Sequence, residues 1–401
     1  MELSKGYKQS DVGLIPSDWE VKTLDKEIDL LTGYPFPSSK YSESGIKLLR
    51  GSNVKRGETD WSENITQFWE QLTLELKTYL LQEGDIVIAM DGSLVGRSFA
   101  RLSKTDLPAL LLQRVARVRS NKIDLGYLKE FICSDYFTKY CDSVKTVSAI
   151  PHISPGDIRN FKIPLPPTKA EQTAIATALS DADALISSLE KLIEKKRNIK
   201  QGAMQELLKP KKGWVVKKLG EIVIYKNGTA HENCVVENGD YIIVNSKFIS
   251  SDAKVAKYSN EVLCPVTKDE ILMVLSDVPN GKAIAKCFLV ESDNKYTLNQ
   301  RICSLKTINA DPKFLYYLLN RNPYFLGFDD GAKQTNLRNI DVLNCPLTIP
   351  PTPEEQIGIA TILSDMNLEI ELLEKKLSKS KMLKHGMMQE LLTGKIRLTW
   401  N

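Results

Sequence analysis

The chain has 401 residues, 42% of them hydrophobic and 26% charged, with a formal net charge of +4. That length predicts two to three domains, each able to bury its own core, and the composition is that of an ordinary globular protein. No apolar run approaches the ~20 residues that span a bilayer, so no membrane segment is expected, and the small positive charge permits a polyanionic partner without demanding one.

The N-terminal stretch Met1–Gly13 has no apolar core of the kind a secretory signal needs. The seven cysteines contain no CxxC pair and the three histidines (His152, His231, His385) are scattered. Reduced core thiols, a cytoplasmic location and no zinc site are therefore expected.

The first globular segment, residues 1–165, shows short β-runs punctuated by glycine and helical signals late in the segment. Gly84–Met90 reads as an apolar strand, the Gly92–Gly96 turn follows it, and a helix is expected from about Tyr127–Leu128. Residues 166–209 then read as one long helix. Thr168 and Glu171 have the spacing of a capping box, and apolar residues fall at Ile175, Leu179, Ala182, Ile186, Leu189 and Ile193 in steps of four and three, a heptad seam. Pro210 stops it.

The second globular segment, 210–349, repeats the first more faintly. Trp214–Leu219 resembles Trp19–Leu24, Asp269–Leu275 resembles Gly84–Met90, Gln300-Arg301 matches Gln113-Arg114, and Phe314-Leu315 matches Tyr127-Leu128. Residues 350–401 close the chain with a second long helix and a tail. Residues 350–392 align with 166–208 without a gap, and 23 of 43 positions are identical. The second helix has its own box, Thr352 to Glu355, and its own seam at Ile359, Leu363, Met366, Ile370, Leu373 and Leu377. Gly394 follows as a C-terminal cap.

A repeat of this kind fixes architecture. The prediction is an α+β chain of two globular domains in pseudo-two-fold arrangement, separated by a long antiparallel two-helix coiled coil of ~60 Å. The helices agree closely and the globular parts do not. One kind of partner is therefore expected twice, and two different targets once each.

No catalytic motif survives inspection. Asn322-Pro323-Tyr324-Phe325 has one proline too few for an amino-methyltransferase motif and no Gly-rich cofactor loop accompanies it. Asp60 with Glu75 and Lys77 has a nuclease-like spacing but falls in an apparent amphipathic helix. P-loop, G-x-S-x-G and HExxH patterns are missing.

If the polyanionic partner that the charge permits is a nucleic acid, the candidate contacts are Arg, Lys, Asn and Gln on loops after short strands, because these side chains pair with base edges or clamp phosphate. In the first domain they are Arg50, Ser52, Asn53, Lys55, Arg56, Arg97, Gln113 and Arg114. In the second they are Asn245, Ser246, Lys247, Lys282, Gln300, Arg301, Lys333, Gln334 and Asn336.

The pattern resembles the specificity subunit of type I restriction–modification systems. Gly6–Trp19, Ile163–Pro167 with Glu171-Gln172, and Met388–Arg397 carry the resemblance, which extends over nearly the whole chain. It implies a non-catalytic subunit that binds double-stranded DNA, each domain reading half of a bipartite site. It further implies paired helices that set the spacing and dock two methyltransferase subunits, to which motor–nuclease restriction subunits attach. S-adenosylmethionine, ATP and magnesium would belong to those partners. A related bipartite-site restriction enzyme, or a coiled-coil adaptor that binds no DNA, are the alternatives.

Overall fold

The structure, a computed structural model, describes residues 6–398. The described residues divide into two compact units, residues 6–190 with 375–398 and residues 191–374.

The first unit is built on an apolar strand, Ile86–Ala89, buried along its whole length. Strand side chains alternate between faces, so a strand that is apolar at every position needs a core on both sides. Here Ile86 and Ile88 enter one core with Trp19, Tyr127 and Phe161. Val87 and Ala89 enter another with Leu49, Val54 and Leu111. The sheet order is Asp29–Thr32, Val115–Arg119, Ile86–Ala89, Phe99–Arg101, Arg56–Gly57. A second sheet pairs Ala109–Leu111 in parallel with Ile46–Leu49, which pairs antiparallel with Phe68–Trp69. A ribbon joins Glu20–Thr23 to Lys162–Leu165.

The second unit repeats this plan. Ile271–Val274 is the buried strand, with Ile271 and Met273 in one core and Leu272 and Val274 in the other. Its sheet runs Val223–Asn227, Ile302–Thr307, Ile271–Val274, Cys287–Leu289. The second sheet again has one parallel pair, Tyr241–Val244 with Tyr296–Leu298, and the ribbon is Val215–Lys218 with Pro346–Ile349. The Tyr7–Ser10 and Gly13–Pro16 hairpin of the first unit is an addition.

Helices lie where the repeat places them, at Leu125–Ile132 and Pro312–Leu319, each capped by an aspartate. Asp124 accepts from the Tyr127 amide at 2.9 Å and Asp311 from the Phe314 amide at 2.7 Å. One sequence expectation fails here. Residues 72–80 hold a short 3-10 turn, Glu75–Tyr79, in place of an amphipathic helix. Asn322-Pro323 starts a separate short helix, with the Asn322 side chain capping the Tyr324 amide at 3.0 Å.

The long helices are Lys169–Leu207 and Pro353–Leu391, each 39 residues. Ile175, Leu179, Leu189, Ile193, Ile359, Leu363 and Ile370 are buried, while Ile186, Met366, Leu373 and Leu377 are partly buried. The first turns differ from a pure helix–helix seam. Ile175 and Leu179 join the core around Trp19, together with Leu391 and Leu392 from the end of the second long helix. Ile359 and Leu363 join the core of the second unit, against which Met204 and Leu208 pack. Charge pairs link the helices beyond those turns. In the first unit Lys384 meets Asp183 at 2.6 Å and Lys381 meets Glu190 at 2.7 Å. In the second, Lys196 meets Glu369 at 2.7 Å and Arg197 meets Glu374 at 2.5 Å.

The capping box of the first long helix is only half formed. Thr168 Oγ1 accepts the Glu171 amide at 3.2 Å, but the Glu171 carboxylate is taken by Arg397 at 2.5 and 2.8 Å. Arg397 also grips Asp18 at 2.9 and 3.0 Å and lies over the Trp19 ring. In the second copy Glu355 accepts from Trp214 Nε1 at 3.0 Å. Gly394 has the expected left-handed φ of 70° and caps the second long helix through its amide to Leu391.

The seven cysteines are unbridged. Burial pushes the thiols of Cys133, Cys141, Cys303 and Cys345 up to about 12, which leaves them as unreactive core groups. Among the described residues no helix is long and apolar enough to cross a membrane, and no cluster of His, Cys, Asp and Glu is placed to hold a metal ion.

Candidate nucleic-acid interface

Gln113-Arg114 and Gln300-Arg301 occupy the same place in the two units, the tight turn entering Val115–Arg119 and Ile302–Thr307. Each turn is fixed from two sides. The Met90 amide donates to the Arg114 carbonyl at 2.9 Å, and the Leu275 amide to the Arg301 carbonyl at 3.0 Å. A glycine lies against each turn. A Cβ on Gly33 would stand 2.1 Å from the Leu112 carbonyl carbon, and one on Gly228 would stand 2.0 Å from the Asn299 oxygen. No side chain fits there, so the glycines let two backbones touch. The turn side chains are exposed, and Arg114 holds a left-handed φ of 77°, an uncommon conformation for arginine.

In the first unit the turn forms one wall of a cleft of about 430 Å³. Ser52, Lys55, Asp91, Gly92, Ser93 and Leu94 also line it. Arg114 Nε lies 3.8 Å from Asp91 Oδ2, and Lys55 Nζ bonds the Ser52 carbonyl at 2.8 Å. Four predicted residues, Ser52, Lys55, Gln113 and Arg114, are thus brought together.

The other predictions in this unit fall elsewhere. Asn53 is fully buried. Its Oδ1 accepts the Arg50 amide at 3.1 Å and its Nδ2 donates to the Asp60 carbonyl at 2.9 Å, so it shapes the loop and has nothing left to offer a base. Arg50 sends Nη2 to the Ile65 carbonyl at 2.5 Å and buries its Nε. Arg97 makes a two-pronged bond to Asp142 at 3.1 and 2.7 Å. That pairing, with Lys145, holds the Asp142 carboxyl well below the usual carboxylate range. Arg56 faces Asp135 at 3.7 Å and lines a separate cleft.

In the second unit an aspartate organises the corresponding loops. Asp277 accepts the amides of Val278 at 2.9 Å, Ala283 at 2.6 Å and Ile284 at 3.1 Å, folding the Asn280–Lys282 turn onto itself. Gly281 packs so closely on the Asp277 carboxylate that a Cβ would overlap it at 2.1 Å. The strand Ser276–Asp277 pairs with Thr335–Asn336, and Gln334 Nε2 bonds Ser276 Oγ at 2.7 Å. Lys282, Lys333, Gln334 and Asn336 are exposed around this ribbon. Gln300 leans to Glu232 at 2.9 Å, and Arg301 is exposed beside it. Asn245 is corrected to a helix cap, accepting the Phe248 amide at 2.9 Å, with Ser246 and Lys247 in the short helix that follows.

Sequence reasoning missed Asp91, Asp277 and the loop 145–152. The signal for the aspartates was present, since an acid follows each apolar strand within three residues. Both carboxylates face positive or amide groups that a polyanion would also approach, so they position the loops rather than attract DNA.

The family model for the type I restriction modification DNA specificity domain matches residues 16–201 and again 211–380. The chain belongs to the type I restriction–modification DNA specificity family. It is 35% identical over 208 residues to the type I restriction enzyme MjaVIII specificity subunit of Methanocaldococcus jannaschii, covering 51% of this chain and 48% of that one. It is 33% identical over 182 residues to the type I restriction enzyme EcoAI specificity subunit of Escherichia coli, covering 44% and 30%. These matches span half or less of those relatives' lengths. The fold is similar over 98% of both chains to the crystal structure of a type I restriction–modification S subunit from M. genitalium, with a TM-score of 0.64 at 17% identity.

Proposed function

We propose that this chain is the DNA-reading subunit of a type I restriction–modification complex, and that each unit reads one half of an asymmetric bipartite site. The observation that carries the reading is the repeated Gln-Arg turn. It sits at the same place in two units of one topology, clamped by a glycine each time, but surrounded by unlike polar loops. One framework with two different loop sets suits two different half-sites.

The long helices serve as the spacer, an antiparallel pair that sets the distance between domains 1–165 and 210–349. A stiff helix holds such a separation better than a flexible linker. The near-identity of the two helices supports docking of two copies of one partner, the methyltransferase subunit. Two clefts support this further. One, of about 440 Å³, is lined by Met388, Gln389, Leu392 and Thr393, and the other, of about 530 Å³, by the repeat-related Met204, Gln205, Leu208 and Lys209. In this reading the chain performs no chemistry. S-adenosylmethionine, ATP and magnesium act on the methyltransferase and restriction subunits, in the cytoplasm.

Selection of random double-stranded DNA by the complex of this chain with its methyltransferase subunit tests the proposal. It predicts enrichment of a split motif with two unlike halves and a fixed gap. A complex that assembles but selects no sequence would favour the adaptor alternative.

A further inference from the structure

The loop between residues 145 and 152 of the first unit carries an arrangement that the polar cleft does not explain. It is a closed, well-bonded loop. The Thr146 amide donates to the His152 carbonyl at 3.0 Å, the His152 amide to Thr146 Oγ1 at 3.1 Å, and Ser148 Oγ to the Ile150 carbonyl at 2.7 Å. It is tied to the cleft lining, with the Gly92 amide donating to the Pro151 carbonyl at 2.9 Å and His152 paired with Asp91. A loop fixed in this way presents its tip rather than hiding it, and the tip is aliphatic. Val147 is fully exposed and Ile150 is 65% exposed, and Leu94 of the cleft lining is 58% exposed.

The second unit provides the contrast. Its counterpart, residues 329–336, likewise precedes a short helix capped by an acid three residues on, Asp341 there and Asp157 here. It is likewise tied to the loop after the apolar strand, through Gln334 and Ser276. Its exposed tip is Ala332, Lys333 and Gln334. The aliphatic tip is therefore a property of this loop and not of its counterpart in the second unit.

We propose that Val147 and Ile150 contact the C5-methyl group of a thymine in the half-site read by the first unit. This rests on the DNA-reading function above. The loop is tied through Asp91 and Gly92 to a cleft whose lining carries Ser52, Lys55, Gln113 and Arg114, donors suited to base edges and phosphates. Two branched side chains are far short of the roughly 1,000 Å² that a stable protein interface buries. Among groups on the major-groove edge of DNA, the thymine methyl is the apolar one, and it matches a small aliphatic tip.

The test replaces each thymine of the selected site, one at a time, by uracil, which lacks only that methyl. Binding is measured with the complete complex of this chain and its methyltransferase subunits. One position in the half-site read by the first unit should weaken about fourfold on losing its methyl, and uracil in the other half should change nothing. The double substitution Val147→Ser with Ile150→Ser should abolish the penalty at that position and leave reading of the second half intact. Indifference of the wild-type complex to uracil throughout the first half-site overturns the proposal, as does a serine variant that keeps the full penalty. A complex with no preferred site at all contradicts the DNA-reading function itself, which separates the two failures.

Discussion

Gln172 Oε1 accepts the backbone amide of Asp124 at 2.9 Å, and Gln356 accepts that of Asp311 at the same distance. Each glutamine then turns its amide back to the proline before its own helix, Pro166 at 3.2 Å and Pro350 at 2.9 Å. The repeated Glu-Gln pair is thereby explained. The glutamine pins the start of a domain helix to the start of a long helix, and does so in both units.

Replacing either glutamine by alanine leaves a partly buried amide and a buried carbonyl without partners. Each orphaned group costs about 1–3 kcal/mol. Thermal unfolding should show Gln172→Ala and Gln356→Ala lowering stability by similar amounts. A neutral effect of both would mean that water replaces the side chain and that the pin is dispensable.

Arg397 bridges Asp18 and the buried Glu171, and so ties the C-terminal tail to the first unit. Arg397→Ala strands a buried carboxylate, a change that costs about 3 kcal/mol or more in comparable buried pairs. Limited proteolysis should show the tail released, and Arg397→Lys should restore only part of the protection because lysine cannot span both acids as a fork.

Asp183 lies between Lys384 and Lys129, with Glu130 behind them. Burial works against its ionisation, but hydrogen bonds and charge from Lys384 and Lys129 outweigh it and hold the carboxyl below its ordinary value of 3.8. The folded state therefore favours the ionised form more than the unfolded chain does. Its stabilisation is fully present above about pH 4 and is lost as the pH falls through the depressed value. Melting temperatures between pH 3 and 7 should fall on the acid side, and Asp183→Asn should flatten part of that fall.

Gly33 and Gly228 each leave room for the Gln-Arg turn and nothing more. Gly33→Ala should displace Arg114 and relax the first half-site, and Gly228→Ala should displace Arg301 and relax the second, each with overpacking strain of about 1–3 kcal/mol. Selected motifs from the two variants would reveal it. Relaxation of both halves by one substitution would contradict independent reading.

The repeat made much of the fold legible from the residues. A strand apolar at every position, Ile86–Ala89 or Ile271–Val274, has to lie between two cores, and it does. The matched Gln-Arg pairs found their turns for the same reason, since both copies had to fit one framework. Polar side chains were harder. Asn53 and Asn245 look like base readers because their donors and acceptors are the right kind, yet Asn53 is consumed by a local amide and carbonyl and the Asn245 oxygen by the amide it caps. Whether an asparagine is free depends on the path of the backbone around it, which composition does not encode. The half-formed capping box fails similarly, because the group that captures Glu171 is Arg397, 226 residues away.

The central claim is that two units of one chain read two unlike half-sites independently, and the most direct test is an exchange. Residues 20–160 would be replaced by the corresponding segment of another family member. The chain would be co-expressed with its methyltransferase subunit, and modified adenines mapped across the genome by single-molecule sequencing. The account predicts a split motif in which one half changes while the other half and the gap stay the same. A change in both halves, or a single undivided motif before and after exchange, would contradict it.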